Sequence, residues 1–280
     1  MAEDWFIEKH TPYAGLSLAV TARLHDQQSA FQRIEVLETP EYGRLLLLDG
    51  CVMLTDRDEF VYHEMIAHPA LLLHPRPERV LIVGGGDGGS VREVVRHDTV
   101  RSVELVEIDE AVITTARQFF PALSEQLDDP RVSIHCEDGF AYLESHAHRY
   151  DVILVDSIDP VGEAAKLFTS AFYEKVHAGL REGGIAVFQT ESPFYNAEVL
   201  AQVQEKLRNQ FRHVAPYLAH IPTYPSGLWS FTFVSDAVDP HRAPLQREPG
   251  FLGELRYLTP ELLRAAFVLP NYVRKRLAAR

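Results

Sequence analysis

The sequence predicts an α/β protein in which a small antiparallel β-domain precedes a doubly wound sheet. Apolar residues alternate with a period of two between residues 16 and 55. After Val80, short apolar runs alternate with helical patterns, as they do in βα repeats. The first of these runs leads into a glycine-rich turn at residues 84–89. We therefore assign residues 1–57 to an N-terminal β-domain and residues 58–280 to a Rossmann-like domain with a methyltransferase-type sheet.

The N-terminal domain shows the strand pattern in four short segments. One turn sequence lies at residues 40–43, and the dipeptide Asp49-Gly50 is another. A helical pattern follows over residues 58–74 and ends before Pro75. The predicted strands cover residues 16–24, 31–38, 44–48 and 51–54.

Strands and helices alternate through the larger domain. Such repetition builds a parallel sheet, whose ligands bind at the carboxyl ends of the strands. We predict an irregular segment at residues 238–250, which contain three prolines. The predicted strands cover residues 80–83, 102–108, 132–135, 151–155 and 185–189, and the predicted helices cover residues 90–96, 110–119, 140–145 and 170–179.

The charge balance and the cysteines exclude several classes of function. The chain has 27 Lys and Arg against 40 Asp and Glu, a net charge of −13, which repels a nucleic-acid backbone. Cys51 and Cys136 form no CxxC pair, so we expect a cytoplasmic protein without structural zinc. The N-terminus is charged where a signal peptide needs an apolar run, and no stretch approaches the ~20 apolar residues of a membrane span. We therefore expect neither export nor membrane insertion.

Two histidines in the predicted helix over residues 58–74 suggest a zinc motif at first sight. His63 and His68 stand five positions apart, however, which turns them away from a common helix face. We therefore predict no metal site here and expect His63 to be a polar contact of a ligand.

The glycine-rich turn at residues 84–89 matches the pattern GxGxxG after a buried strand. Small residues at this place let a nucleoside approach the backbone. Glu107 ends the next strand, 18 residues after Gly89, where a carboxylate can accept hydrogen bonds from both hydroxyls of a ribose. The two features together predict an adenosine ligand.

Asp87 lies inside the glycine-rich turn and restricts the kind of nucleotide that can bind. A carboxylate at the position of a dinucleotide pyrophosphate would repel it, and burial makes that repulsion more costly. A cationic group, such as a sulfonium nucleoside with a free amine, fits instead. The alternative is that Asp87 only caps the following helix.

Further carboxylates follow the third and fourth strands. Asp138 is placed to accept the exocyclic amine of adenine, with Gly139 leaving room for the ring, although an N-cap role is equally compatible. Asp156 and Asp159 come at the end of the fourth strand. Carboxylates gathered at one sheet edge repel one another until a cation binds. This pattern favours a polyamine or a sulfonium ligand.

These motifs together resemble those of the spermidine synthase family, and the resemblance runs almost end to end. The matching segments are residues 31–32, 42–43, 48–50, 55–60, 62–65, 84–89, 107–109, 138–139, 156–160, 221–227 and 265–270. The resemblance implies an aminopropyltransferase that converts putrescine and decarboxylated S-adenosylmethionine, a co-substrate, to spermidine and 5′-methylthioadenosine. It implies no cofactor and no metal. It also implies a β-domain that forms homodimers or homotetramers.

The resemblance also implies roles for individual residues. Asp156 would be the catalytic acid/base residue. The methylthioadenosine part of the donor would be held by Gln32, Glu107, Asp138 and Gly139. His63 and Asp87 would contact aminopropyl or polyamine amines, and the acceptor groove would be lined by Tyr62, Asp159, Gln189 and Tyr224.

The likeness is imperfect in the segment after Pro160, which corresponds to the gatekeeping loop of the family. Glu163 stands where the family pattern has proline, and Ala165 stands where it has glutamate. We expect donor enclosure or the preferred acceptor length to differ as a result.

Three alternatives remain open. In the first alternative, the reaction is the same but the acceptor amine is cadaverine, agmatine or spermidine. The second is a methyltransferase that uses intact S-adenosylmethionine, but the carboxylate of that donor would meet Asp87. The third is a polyamine sensor without activity, which the presence of Asp156 disfavours.

Overall fold

The computed structural model describes residues 4–158 and 162–278, without the Glu163 side chain. The N-terminal strands are β1 (Asp4–Thr11), β2 (Ala14–Val20), β3 (Ala22–Gln28), β4 (Arg33–Thr39), β5 (Gly43–Leu48) and β6 (Cys51–Thr55). β1 and β2 pair as a separate hairpin, and β3 to β6 form an antiparallel sheet in sequence order. Asp49 and Gly50 have φ of 48° and 79° and connect β5 to β6, as the dipeptide predicts. β1 was not predicted, because none of its residues is buried and its apolar pattern is weak.

The rest of the described chain alternates helices with strands. The strands are β7 (Arg79–Gly84), β8 (Ser102–Val106), β9 (Val132–His135), β10 (Tyr150–Asp156), β11 (Leu180–Gln189), β12 (His213–His220) and β13 (Leu228–Ser235). The helices are α1 (Glu59–Leu73), α2 (Gly89–Val95), α3 (Glu110–Phe119), α4 (Pro121–Ser124), α5 (Gly139–Glu144), α6 (Ser170–Gly179), α7 (Ala197–Arg208), α8 (Pro260–Ala266) and α9 (Asn271–Ala278). Residues 238–249 contain neither helix nor strand, as their prolines predict.

The strands of the larger domain form one Rossmann-like sheet with a buried apolar layer on each face. Within the described residues its order is β12-β13-β11-β10-β7-β8-β9, and the five strands from β7 to β11 are parallel. The fold class predicted from the sequence is confirmed. The strands predicted to be parallel, β7 to β11, are parallel, and β12 and β13, which were not predicted, add an antiparallel edge. β13 was not predicted, because seven of its eight residues are buried and no alternation marks it.

Helix α1 is buried on all sides and carries two residues of the site described below. Every residue of α1 except Phe60 is buried. Apolar side chains surround the helix, so its sequence lacks the polar face of a surface helix. α1 packs against α2 and against the β10–β11 region of the sheet.

Segments from the end of the chain hold α1 in place. The Glu64 carboxylate accepts hydrogen bonds from the backbone N–H groups of Arg256, Tyr257 and Leu258 at 2.8, 3.0 and 2.8 Å. The carbonyl of Met65 accepts one from the Tyr217 hydroxyl at 2.7 Å. Both acceptors are buried, so each bond satisfies a group that would be costly to leave without a partner.

Candidate active site

A cavity of about 220 Å³ opens at the carboxyl ends of the central strands, between the N-terminal domain and the Rossmann-like sheet. Parallel strands bring their carboxyl ends to the same edge, so residues far apart in the chain meet there. The residues of the cavity wall that were predicted from the sequence are Gln32, Tyr62, His63, Asp87, Glu107, Asp138, Gly139, Asp156, Gln189 and Tyr224. Asp159 lies outside the described residues.

Asp156 lies at the end of β10 with both carboxylate oxygens held. The Tyr62 hydroxyl donates to Oδ1 at 2.6 Å, and the Ser90 hydroxyl donates to Oδ2 at 2.5 Å. A Cβ atom at Gly85 would lie 2.7 Å from Oδ2, so the loop passes too close to Asp156 for any side chain. Burial, together with the negative charge of Asp87, raises the pKa of Asp156. A carboxylate with a raised pKa is a better base toward an ammonium than an ordinary one.

His63 lies between two carboxylates. Its Nδ1 is 2.7 Å from Oε2 of Glu59, and its Nε2 is 3.3 Å from Oδ1 of Asp87. Burial lowers the pKa of His63, but Asp87 and Glu59 outweigh burial and raise the pKa to about 10. The ring packs directly on the glycine-rich turn, because a Cβ at Gly89 would lie 2.3 Å from Cε1 of His63. His63 is therefore a cation that pairs with Asp87.

A protonated His63 changes how its predicted role must be understood. An imidazolium has no lone pair with which to accept a hydrogen bond from an ammonium group. Its contact with a ligand amine stays a prediction, and any effect on that amine would pass through Asp87.

Asp87 both caps a helix and lines the cavity, the two roles that the sequence left open. Its Oδ1 accepts a hydrogen bond from the backbone N–H of Gly89 at 2.7 Å, at the start of α2, and the residue also lines the cavity. Burial raises the pKa of Asp87, but the charge of His63 outweighs burial and lowers it. Asp87 is therefore an ionised carboxylate at the cavity wall.

Glu107 follows β8 and is held by two backbone donors. Gly86 N–H donates to Oε2 at 3.2 Å, and Asp109 N–H donates to Oε1 at 2.9 Å. Burial raises the pKa of Glu107 to about 7. Each Glu107 oxygen can still accept one more hydrogen bond, so the carboxylate can bind two neighbouring hydroxyl groups.

The remaining residues predicted for the donor half are also brought together. Gln32 is buried and donates to Oδ2 of Asp109 at 3.0 Å. Asp138 caps α5 by accepting from Phe140 N–H at 2.8 Å, and it also lines the cavity. A Cβ at Gly139 would lie 2.5 Å from Cγ1 of Val83, so packing against β7 already requires glycine there.

Aromatic rings form the other half of the cavity wall. The rings of Tyr62 and Tyr224 are 5.8 Å apart, and Trp229 meets Tyr224 edge-on at 4.8 Å. Gln189, at the end of β11, donates to the carbonyl of Ile158 at 3.4 Å. This half offers apolar faces next to the carboxylate of Asp156, an environment that fits the methylene chain of an amine.

Sequence reasoning missed several residues of this site. Ser90 is the second residue of α2, and its place directly after the glycine-rich turn was the available signal. Glu59 precedes His63 by four positions, a spacing that places both on one helix face. Glu8, from the strand β1 that was not predicted, also lines the cavity.

No group of three or more His, Cys, Asp or Glu in the described part of the chain is arranged to hold a metal ion. No helix in the same part is long and apolar enough to cross a membrane.

Comparisons with known proteins extend over nearly the whole chain. Residues 59–242 match the family model of the spermine/spermidine synthase domain, and residues 4–56 match that of the spermidine synthase tetramerisation domain. The chain is 45% identical to the polyamine aminopropyltransferase of Bacillus subtilis (strain 168) over 98% of each chain. It is also 45% identical to the polyamine aminopropyltransferase of Thermoanaerobacter sp. (strain X514), over 97% of this chain and 98% of that one.

Solved structures agree with the sequence comparisons. A spermidine synthase crystallised with the transition-state analogue AdoDATO superposes with a TM-score of 0.95 at 38% identity, and covers 100% of this chain and 97% of that one. The spermidine synthase of Thermotoga maritima superposes with a TM-score of 0.93 at 38% identity, and covers 100% of this chain and 96% of that one.

Proposed function

Because the chain belongs to the spermine/spermidine synthase family and is an aminopropyltransferase, we propose that it converts putrescine and decarboxylated S-adenosylmethionine to spermidine and 5′-methylthioadenosine. The observation that carries this proposal is that Asp156 and Asp87 line the same cavity, Asp156 held by Tyr62 and Ser90 and Asp87 beside His63. Burial and the charge of Asp87 raise the pKa of Asp156, whereas the charge of His63 outweighs burial and lowers the pKa of Asp87. The first suits an amine that must lose a proton, and the second suits an amine that must keep one.

The proposed reaction is a direct displacement. The nitrogen of a neutral amine attacks the methylene carbon beside the sulfonium, a new C–N bond forms, and the C–S bond breaks. The electron pair of that bond neutralises the sulfonium, so methylthioadenosine leaves uncharged. Asp156 takes the proton of the attacking amine, with its carboxylate held by Tyr62 and Ser90. Alignment of the two substrates supplies much of the rate.

In this proposal the donor occupies the half of the cavity next to β7 and β8. Glu107 accepts from the ribose hydroxyls, and Asp138, Gly139 and Gln32 border the adenine. The ammonium of the aminopropyl group pairs with Asp87. Intact S-adenosylmethionine carries a carboxylate that Asp87 would repel, which argues against the methyltransferase alternative.

The acceptor occupies the aromatic half. Its methylene chain lies along the rings of Tyr62 and Tyr224, and Gln189 borders the chain. Glu8 lines the same cavity and offers a carboxylate to the far ammonium of a diamine. Asp159 belongs to the same proposal as a predicted acceptor residue, and Glu163 as a predicted modifier of enclosure. Asp159 and the Glu163 side chain lie outside what the structure describes.

We also propose that the protein acts in the cytoplasm as a homodimer or homotetramer. Trp5, Ile7 and Tyr13 on the β1–β2 hairpin are 51%, 61% and 98% exposed. Large apolar side chains on one hairpin are typical of an interface between copies. Light scattering after size-exclusion chromatography would give the oligomeric state, and a monomer would contradict the proposal.

The reaction is tested by incubating the purified protein with decarboxylated S-adenosylmethionine and each of putrescine, cadaverine, agmatine and spermidine. Mass spectrometry then identifies methylthioadenosine and any new polyamine. We expect spermidine from putrescine. If another amine is extended instead of putrescine, that amine is the acceptor. If no methylthioadenosine forms with any amine, the proposed function is overturned. A parallel incubation with intact S-adenosylmethionine tests the methyltransferase alternative.

A further inference from the structure

A chain of charged side chains leads from the cavity into the contact between α1 and α2, with His63 and Glu59 buried and Asp87 and Arg92 partly buried at its ends. It begins at Asp87, passes through His63 and Glu59, and reaches Arg92. The guanidinium of Arg92 donates to both oxygens of Glu59, with distances of 3.1 and 2.9 Å from Nη1 and Nη2. Neither Glu59 nor Arg92 is among the described residues that line the cavity. Their hydrogen bonds connect them to the cavity through His63, and the charge of Arg92 also acts on Asp87.

The geometry determines the protonation of the His63 ring. Each ring nitrogen faces a carboxylate oxygen, Glu59 at Nδ1 and Asp87 at Nε2. Glu59 stays ionised because it is paired with the Arg92 guanidinium, and Asp87 accepts a hydrogen bond from Gly89 N–H, so both carboxylates face the ring as acceptors. Both nitrogens must therefore carry a proton, and the ring is fixed as a cation in one orientation.

The ring in turn orients Asp87. The contacts that described residues make to the Asp87 carboxylate, from Gly89 N–H and from His63 Nε2, both end on Oδ1. Oδ2 is then the oxygen that remains for a ligand. If the ring tilted or lost its Nε2 proton, Gly89 N–H alone would hold Oδ1, and the carboxylate would be less firmly oriented.

We propose that Glu59 and Arg92 are positioning residues, which hold His63 so that Oδ2 of Asp87 is presented to the ammonium of the donor's aminopropyl group. This inference rests on the proposed function, because it assumes a donor that carries such an ammonium. It predicts a selective defect: loss of the network weakens recognition of the aminopropyl end and leaves recognition of the nucleoside end intact.

The groups around His63 explain how its charge responds to a change in Glu59. Glu59 faces it from its own helix and Asp87 from the glycine-rich turn, Asp156 at the end of β10 acts on it by charge, and Arg92 of α2 lies behind Glu59. With the wild-type network, the pKa of His63 is raised to about 10, so the ring stays charged through the neutral range. Glu59→Gln removes one of the two carboxylates that raise this pKa, so the pKa must fall. The amide of the Glu59→Gln variant can either accept a hydrogen bond from Nδ1 of His63 or donate one to it. A neutral His63 ring therefore also fits the site.

The test compares Glu59→Gln and Arg92→Met with wild type, with Arg92→Lys as the variant that keeps the charge. The steady-state KM of decarboxylated S-adenosylmethionine is measured beside the calorimetric dissociation constant of methylthioadenosine, which has no ammonium. We expect the KM of the donor to rise about tenfold in Glu59→Gln and Arg92→Met, the size of a charge-assisted hydrogen bond, and less in Arg92→Lys. The dissociation constant of methylthioadenosine should change by less than about twofold. Glu254→Gln, which removes an exposed partner of Arg96, is the matched control and should change neither quantity.

A second readout does not depend on turnover. Nitrogen-15 NMR of the imidazole rings should show His63 doubly protonated at pH 8 in wild type and titrating at a lower pH in Glu59→Gln. Equal weakening of donor and methylthioadenosine would show a merely structural role and overturn the inference. An unchanged His63 charge together with an unchanged donor KM would overturn it as well. Wild-type protein that binds the donor but forms no product would contradict the proposed function, while the NMR comparison would still decide the inference.

Discussion

The hydroxyl of Tyr62 donates a 2.6 Å hydrogen bond to Oδ1 of Asp156, although 94 positions separate the two residues in the chain. Tyr62 belongs to α1, and Asp156 ends β10, so the bond joins the most buried helix to the central strand of the sheet. With Ser90 on the other oxygen, it fixes the plane of the carboxylate. The proposed base therefore has a set direction before any substrate arrives.

Replacement of Asp156 tests its role as the base. Asp156→Asn keeps the shape of the side chain but cannot take a proton from the attacking amine. We expect kcat to fall by roughly 10²–10⁴, the range for loss of a general base, with donor binding retained. Stopped assays of methylthioadenosine release would measure this. Asp128→Asn, on the exposed surface, serves as the control, and unchanged turnover in Asp156→Asn would falsify the assignment.

Removal of the Tyr62 hydroxyl should shift the pH dependence of the reaction. A hydrogen bond to the ionised form of Asp156 lowers its pKa, so Tyr62→Phe raises the pKa further. Because Asp156 must be ionised to accept a proton, activity should disappear at a higher pH on the acid side. kcat measured against pH would show this shift together with a loss of about tenfold. Tyr173→Phe, a buried tyrosine outside the cavity, should leave the acid limb in place.

A single methyl group at Gly89 should disable the site. The added Cβ would lie 2.3 Å from Cε1 of His63, so the ring must move away from Asp87. Displacement on the scale of 1 Å typically costs about 100-fold in rate, and we expect a loss of this order in kcat/KM. Gly250→Ala adds the same methyl where no atom lies within 4 Å and should retain full activity. Equal activity of the two variants would contradict the close packing of His63 on the turn.

Glu107 should stabilise the folded protein when it is neutral and destabilise it when it is ionised. Its folded pKa of about 7 is above its ordinary value of 4.5. For a raised pKa, the contribution to stability is complete below the unfolded value and is lost as the pH rises through the folded value. An amide has only one oxygen to accept from the two backbone donors, so Glu107→Gln loses a hydrogen bond at both pH values. Between pH 5 and pH 8, however, the free energy of unfolding of wild type should fall relative to that of Glu107→Gln by on the order of 2–3 kcal/mol. Urea unfolding at the two pH values measures this, and donor affinity should fall in the same variant.

Metal removal should not affect turnover. In the proposed displacement the leaving group becomes neutral as the C–S bond breaks, so no developing negative charge needs a Lewis acid. Exhaustive dialysis against EDTA followed by assay in metal-free buffer would test this expectation. A loss of activity that added Mg²⁺ or Zn²⁺ restores would contradict it.

The part of the site that lies at strand ends was predictable from the sequence. Glu107, Asp138 and Asp156 each follow a short apolar run, and parallel strands necessarily bring such residues to one edge. The glycine pattern placed Asp87 beside them. All four line the cavity, and the family resemblance that they supported is confirmed. Their individual roles remain predictions.

The part of the site that acts through other residues was not predictable. Glu59 has no signal of its own, because a glutamate in the first turn of a helix is favourable for the helix alone. Its partner Arg92 is 33 positions away, and only the packing of α1 on α2 brings them together. β13 was missed for a similar reason, since burial on both faces removes the alternation by which a half-exposed strand is recognised.

The bonds that Glu64 makes to the backbone at residues 256–258 imply an order of events during synthesis. Glu64 directly follows His63, and its partners lie as far as 194 positions later in the chain. A nascent chain on the ribosome that has not yet released those residues leaves the Glu64 carboxylate without its backbone donors and α1 without part of its cover. Contacts of such sequence separation form late. Helix α1, which carries Tyr62 and His63, therefore gains this part of its cover only after residues 256–258 have left the ribosome.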